Sequence, residues 1–135
     1  MLSRCEICGK EHAEVHHIVH KCEGGMDIEI NYKYLCAKHH RGKYGPHKNE
    51  NVDLKYKLEL QEKLENLLEK EYYTISELQI KLSINKNKAK KIVKGFKRYK
   101  EGYKTKEIIY RLMGNNNYSL YEMFNCDEYV ALNLA

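Results

Sequence analysis

The first 47 residues hold all seven histidines and four of the five cysteines. Cys5-x-x-Cys8 and Cys36-x-x-His39 share a two-residue spacer. Such a spacer sets two ligand atoms on one side of a tight turn, about 3.5 Å apart, the bite that tetrahedral Zn²⁺ requires of sulfur and nitrogen ligands. Together the pairs make a Cys3His structural zinc site of Cys5, Cys8, Cys36 and His39. Redox motifs also use Cys-x-x-Cys, but here a second pair follows, no βαβ pattern surrounds the first, and apolar residues are sparse. Cys22 and Cys126 have no spaced partner and read as packed or free thiols. The remaining histidines offer another chemistry, because a neutral imidazole with pKa near 6.5 serves as a proton acceptor or a cation ligand at neutral pH. These are His16-His17 and His40, with Asn31 between them and His47 beyond.

The elements that must position these residues are short. Strands are expected over Glu14 to Val19 and Asn31 to Leu35, with Gly24-Gly25 permitting a turn between them. A helix then spans Cys36 to Lys43, stopped by Gly45-Pro46. A segment of this size buries too little apolar surface to hold itself together, so a metal is the expected substitute.

From Asn51 the pattern becomes helical. Leu60, Leu64, Leu67, Leu68 and Tyr72 share one face of a connecting helix over Val52 to Glu71. Thr74-Ile-Ser-Glu77 fits a capping box ahead of Ile75, Leu78 and Leu82. Ser83-Ile84-Asn85 is a turn, and Lys86 to Phe96 resumes helical spacing, the outline of a helix-turn-helix. Thr105 to Met113 reads as another helix closed by Gly114, and a last helical turn is expected around Leu120 to Phe124. No internal repeat is visible.

Residues 1 to 47 hold seven Lys/Arg against six Asp/Glu, and residues 81 to 106 hold eleven against one. This block of net +10 is the charge footprint of a surface that follows a phosphate backbone; the alternative is a solvated lysine-rich helix. Lys86, Lys88, Lys90, Lys91, Lys94, Lys97 and Arg98 are the candidate DNA contacts, with Asn85, Asn87 and Lys88 first in line to read bases.

The ordered set of Cys5-x-x-Cys8, His16-His17-Ile18, Gly24-Gly25, Asn31-x-x-x-Leu35-Cys36-x-x-His39 and His40 resembles the HNH nucleases of the ββα-metal fold. Zinc-bearing members of that family carry an acid or histidine before His-Ile and a histidine or asparagine after the second knuckle. The run HHRGKYGPH resembles a phage-encoded branch. The resemblance covers residues 5 to 47. It implies that His17 is the general base, that His16 and His40 hold a catalytic divalent cation, and that Asn31 fixes the loop carrying the base or assists at the metal. Where many members place another histidine this chain has Tyr44, so His47 is the candidate third ligand or phosphate contact. His12 and His20 match no functional position and read as surface or turn residues, with His20 standing where the family often has proline.

The expected fold is α+β: a zinc-bound ββα-metal core at 1–50, a connecting helix at 51–71, and an all-helical basic segment at 72–135 with a helix-turn-helix-like part. The expected function is endonucleolytic hydrolysis of DNA, double-stranded, leaving 5′-phosphates, with structural Zn²⁺ and catalytic Mg²⁺ or another divalent cation. The rival reading is a non-catalytic zinc-finger and helix-turn-helix regulator. The N-terminus MLSRCEICGK lacks a signal peptide's apolar run, and no membrane span is visible. Unpaired cysteines fit the reducing cytoplasm of a bacterial or phage-infected cell.

Overall fold

Backbone pairing near the N-terminus is set by a short antiparallel ladder. In the computed structural model, which describes residues 3–119, β1 (Glu14–His17) pairs with β2 (Tyr32–Leu35), Glu14 facing Leu35 and His17 facing Tyr32. Both strands are shorter than expected. Ile18 and Val19 leave the ladder and turn inward to be buried. Asn31 ends a 3-10 turn, Glu29–Asn31, and uses its side chain to bond both backbone groups of Val19. A Cβ on Gly25 would overlap the Val19 carbonyl, so the intervening loop closes only on glycine.

Cys36 caps α1 (Ala37–Arg41), which ends at Gly42 and not at Gly45-Pro46. The Gly42 N–H bonds the Lys38 carbonyl at 2.9 Å, and a Cβ there would collide with that oxygen. The connecting helix, α2 (Glu50–Leu67), starts and stops earlier than the 52–71 expected. Asn49 is its cap, accepting from the N–H groups of Asn51 and Val52, a polar end that an apolar periodicity does not mark.

Residues after α2 are not all-helical. β3 (Tyr72–Tyr73) pairs antiparallel with β4 (Tyr103–Lys104), a two-residue ladder too short to show an alternation in sequence. Between them lie α3 (Ile75–Leu82) and α4 (Lys86–Ile92). The Thr74/Glu77 capping box forms as expected, its two bonds at 3.2 and 3.0 Å. Asn85 caps α4 by accepting from Lys88 N–H at 2.8 Å. α4 ends at Ile92, short of the expected Phe96, because the chain turns through Gly95 at φ +83°. α5 (Thr105–Leu112) follows β4 and closes at Gly114, φ +72°. The turn expected at 120–124 and Cys126 lie outside the described residues.

Leu64, Leu78, Ile92, Ile108 and Met113 are fully buried and belong to one apolar cluster with Val19, Ile28 and Leu35 of the N-terminal part. Each such side chain contributes roughly 1.5–3 kcal/mol by leaving water. Polar ties cross the same boundary: Lys57 Nζ to Glu23 at 2.9 Å, and Lys88 Nζ to the Asp27 carbonyl at 2.6 Å. Over the described residues the protein is thus a small α+β fold of five helices and two small antiparallel sheets. No helix among the described residues is long and apolar enough to cross a membrane.

Candidate metal centres

The hairpin of β1 and β2 carries α1 against the N-terminal turn, and this brings Cys5, Cys8, Cys36 and His39 together. Cys8 Sγ lies 3.8 Å from Cys36 Sγ, and His39 Nδ1 lies 3.7 Å from Cys5 Sγ and 3.2 Å from Cys36 Sγ. A tetrahedral ion with 2.3 Å sulfur and 2.0–2.1 Å nitrogen bonds requires edges of roughly 3.8 and 3.6 Å. The cluster is therefore compatible with a structural zinc site. Burial pushes the Cys5 thiol up, but the N–H groups of Cys36, Cys8 and Ile7 outweigh it and bring it to about 6. Cys5 is a thiolate at neutral pH, the form a metal binds. Cys22 is a free, exposed thiol.

A second cluster includes the next residue of α1, His40. His16, His40 and His47 each offer a ligand atom within 4.8 Å of the others'. His16 comes from β1, and the alternation of a strand sends it inward while its neighbour His17 leaves by the other face. His16 is 1% exposed, and its Nε2 is buried with no hydrogen-bond partner among the described residues. An orphaned buried nitrogen costs about 1–3 kcal/mol, which a bound cation would offset. Burial, then the imidazoles of His40, His47, His20 and His17, hold His16 at about 3, so it stays neutral and ligand-ready. Burial and the His40 and His20 rings also lower His47.

His40 is oriented by Glu14. Its Nδ1 donates to Glu14 Oε1 at 2.9 Å, and Nε2 faces His47 Nε2 at 2.9 Å. A carboxylate on one ring nitrogen fixes the tautomer and turns the other's lone pair toward a metal. The His40 hydrogen bond, followed by the Arg41 charge, keeps Glu14 below its ordinary value and ionised. The donor set therefore fits a divalent cation.

His17 is outside this cluster. Its Nε2 lies 2.9 Å from Asp27 Oδ1, and its ring packs edge-on against Tyr32. Tyr32 Oη donates to the same carboxylate oxygen. These two contacts, Tyr32 first, hold Asp27 down at about 2, and Asp27 pushes Tyr32 up to about 12. With Nε2–H given to Asp27, Nδ1 of His17 keeps a lone pair able to accept a proton. Asn31 is 3% exposed and its side chain is bonded to backbone: it accepts from Val19 N–H and donates to the Val19 and Met26 carbonyls, all at 2.9–3.0 Å. Its role is to hold the loop between His17 and Asp27.

One expectation is corrected here. His20 is no idle surface residue: its ring lies 5.4 Å from that of His16 and 5.3 Å from that of His47, and its Nε2 lies 3.1 Å from Asp53 Oδ1. Asp53, Glu14 and Asp27 were not among the expected site residues. His12 belongs to neither histidine cluster, and Tyr44 is 59% exposed. Of the seven basic candidates, Lys86, Lys90, Lys91, Lys94, Lys97 and Arg98 are exposed, while Lys88 is half-buried against the Asp27 carbonyl. Lys86, Lys88, Lys90 and Lys91 ride on α4, but Lys94, Lys97 and Arg98 follow its end. Compared with known families, curated proteins and solved structures, the chain matches none.

Proposed function

We propose that the protein is a divalent-metal-dependent DNA endonuclease of the HNH type. On this reading β1, β2 and α1 are a zinc-bound ββα-metal core, and α3 and α4 are a helix-turn-helix-like DNA-binding part. The observation that carries the reading is the buried, unpartnered Nε2 of His16, converging with His40 and His47 beside a histidine whose tautomer is fixed by Asp27.

A divalent cation, if held at this site, would supply charge neutralisation at the phosphate and at the leaving oxygen. His16, His40 and His47 would hold it, with Glu14 aiming His40. His17 Nδ1 takes a proton from the attacking water, Asp27 keeps the ring oriented and stabilises the imidazolium that results, and Asn31 keeps the loop from drifting. Water's oxygen forms the new bond to phosphorus, the P–O3′ bond breaks, and the departing O3′ takes a proton from solvent, giving a 5′-phosphate and a 3′-hydroxyl. The exposed lysines of α4 and the turn after it follow the backbone of duplex DNA by charge, without specifying bases. Lys88 links that surface to the loop of the base.

Plasmid cleavage with Mg²⁺, Mn²⁺, Co²⁺ or Zn²⁺ tests the reading. Wild type should nick or cut, and His17→Ala should slow it by about 10²- to 10⁴-fold, the usual worth of a general base. Cleavage that survives the substitution removes His17 from its role. A wild type inert with every cation but tight on DNA would point to the zinc-finger regulator instead.

A further inference from the structure

One lysine of the basic helix points back into the molecule. Lys86, Lys90 and Lys91 of α4 are exposed, but Lys88 is half-buried, and its Nζ donates to the Asp27 carbonyl at 2.6 Å, across 61 residues of chain. The seat of α4 fixes this reach. Ala89 and Ile92 are fully buried, and the Lys88 N–H donates to the capping Asn85 Oδ1 at 2.8 Å. An ammonium turned to a carbonyl of the N-terminal part is placed differently from the DNA contact that its charge alone suggests.

That carbonyl belongs to the residue that aims His17. Asp27 Oδ1 lies 2.9 Å from His17 Nε2 and accepts from Tyr32 Oη. The Asp27 side chain is 62% exposed, so packing does little to direct it. Its backbone is better held. Before it, the Met26 carbonyl accepts from Asn31 at 2.9 Å; after it, Ile28 is 2% exposed. Lys88 bonds the peptide between these two anchors. A bonded carbonyl stops its planar peptide from rotating, and this sets the direction in which the carboxylate leaves the same Cα.

We infer that Lys88 is a positioning residue for His17: from α4 it fixes the Asp27 peptide, and so the carboxylate that orients the general base, instead of contacting DNA. The basic helix and the base are thereby set by one another. The inference rests on the nuclease reading for the reaction that the positioning serves, but the tie itself is measurable without cleavage.

The test compares Lys88→Met, which keeps the stem and removes the donor, with Lys88→Arg, which keeps a donor, in the full chain with zinc in its thiolate cluster. With Mn²⁺ and saturating duplex DNA, Lys88→Met should lower kcat about 10- to 100-fold, the scale of a misplaced reacting group. KM and the salt slope of DNA binding should stay as in wild type, and Lys88→Arg should recover most of the rate. In a chain already carrying Asp27→Ala there is no carboxylate to aim, so Lys88→Met should cost nothing further. NMR of the His17 ring nitrogens without DNA should show the Nε2–H form losing population in Lys88→Met and not in Lys90→Ala.

A raised KM with a salt slope smaller by about one, at unchanged kcat, would make Lys88 a phosphate contact. Additive losses in the Asp27→Ala chain would make its role merely structural. Either result overturns the inference, as does an unmoved His17 signal in a folded Lys88→Met. A wild type that cuts no duplex while its His17 tautomer depends on Lys88 would keep the tie and sink the nuclease. Cleavage lost in His17→Ala but indifferent to Lys88→Met would do the reverse.

Discussion

The thiolate cluster and the imidazole cluster differ in how their donors are brought together. Cys5 with Cys8, and Cys36 with His39, are neighbours along the chain, and the spacings of their atoms are compatible with a tetrahedral ion. The clustered imidazoles come from β1, the loop after it, α1 and the turn before α2. They are aimed by carboxylates, Glu14 on His40 and Asp53 on His20. The difference teaches which cluster makes the fold and which the fold makes. Local pairs close a site before the rest of the chain is ordered, so the ion they bind contributes to folding. A site gathered from distant segments exists only once the fold is in place.

The largest effect expected from this contrast is on the thiolate side. Stripping its ion with a strong chelator, or Cys36→Ser, should melt the N-terminal part, an apparent loss on the order of 10 kcal/mol, read as collapse of amide dispersion for residues 3–47. His16→Ala should leave that dispersion intact while abolishing Co²⁺ binding at the imidazoles; unfolding by His16→Ala would erase the distinction. Asn31→Ala sits between the two, since it deletes three side-chain hydrogen bonds, two of them buried, from a residue that belongs to neither cluster. It should cost about 3 kcal/mol, near 1 per bond, and lower cleavage together with chemical-denaturation stability.

Acid should separate the clusters more gently. In the metal-free protein His16 titrates at about 3, below its ordinary 6.5. The unfolded chain therefore takes the proton first, and stability falls as pH drops from about 6.5 toward 3. His16→Ala should flatten this slope by up to one proton, measured by denaturation at stepped pH. The smallest effect belongs to the exposed lysines: Lys90→Ala should reduce the salt slope of DNA binding by about one unit and leave metal affinity unchanged at both clusters.

Sequence spacing makes the thiolate cluster legible because its ligands are local, and Thr74 with Glu77 is legible for the same reason. His16, Asn31, His40 and His47 are recognisable through motif order. His20 and Asp53 are not. Four residues separate His16 from His20, a spacing without meaning off a helix, and Asp53 reaches them only through the packing of α2 across the loop. The one local sign was Asp53 four residues before Lys57, which reads as an ordinary helical ion pair. β3 and β4 escape notice because their pairing joins residues some thirty apart over two rungs. Helix ends were misplaced at Gly42, Asn49 and Gly95, where a cap or a turn, and not the apolar period, sets the limit.

One consequence follows from the shortness of α1. His39 and His40 are consecutive, yet one serves the sulfur site and the other the nitrogen site. Successive residues on a helix differ by about 100° in direction and 1.5 Å in height, so this single step is the angular offset between the two clusters. The helix works as a dial with two fixed marks. Deleting or inserting one residue between Cys36 and His39 would turn both marks together, and neither centre could be re-tuned by backbone length without detuning the other.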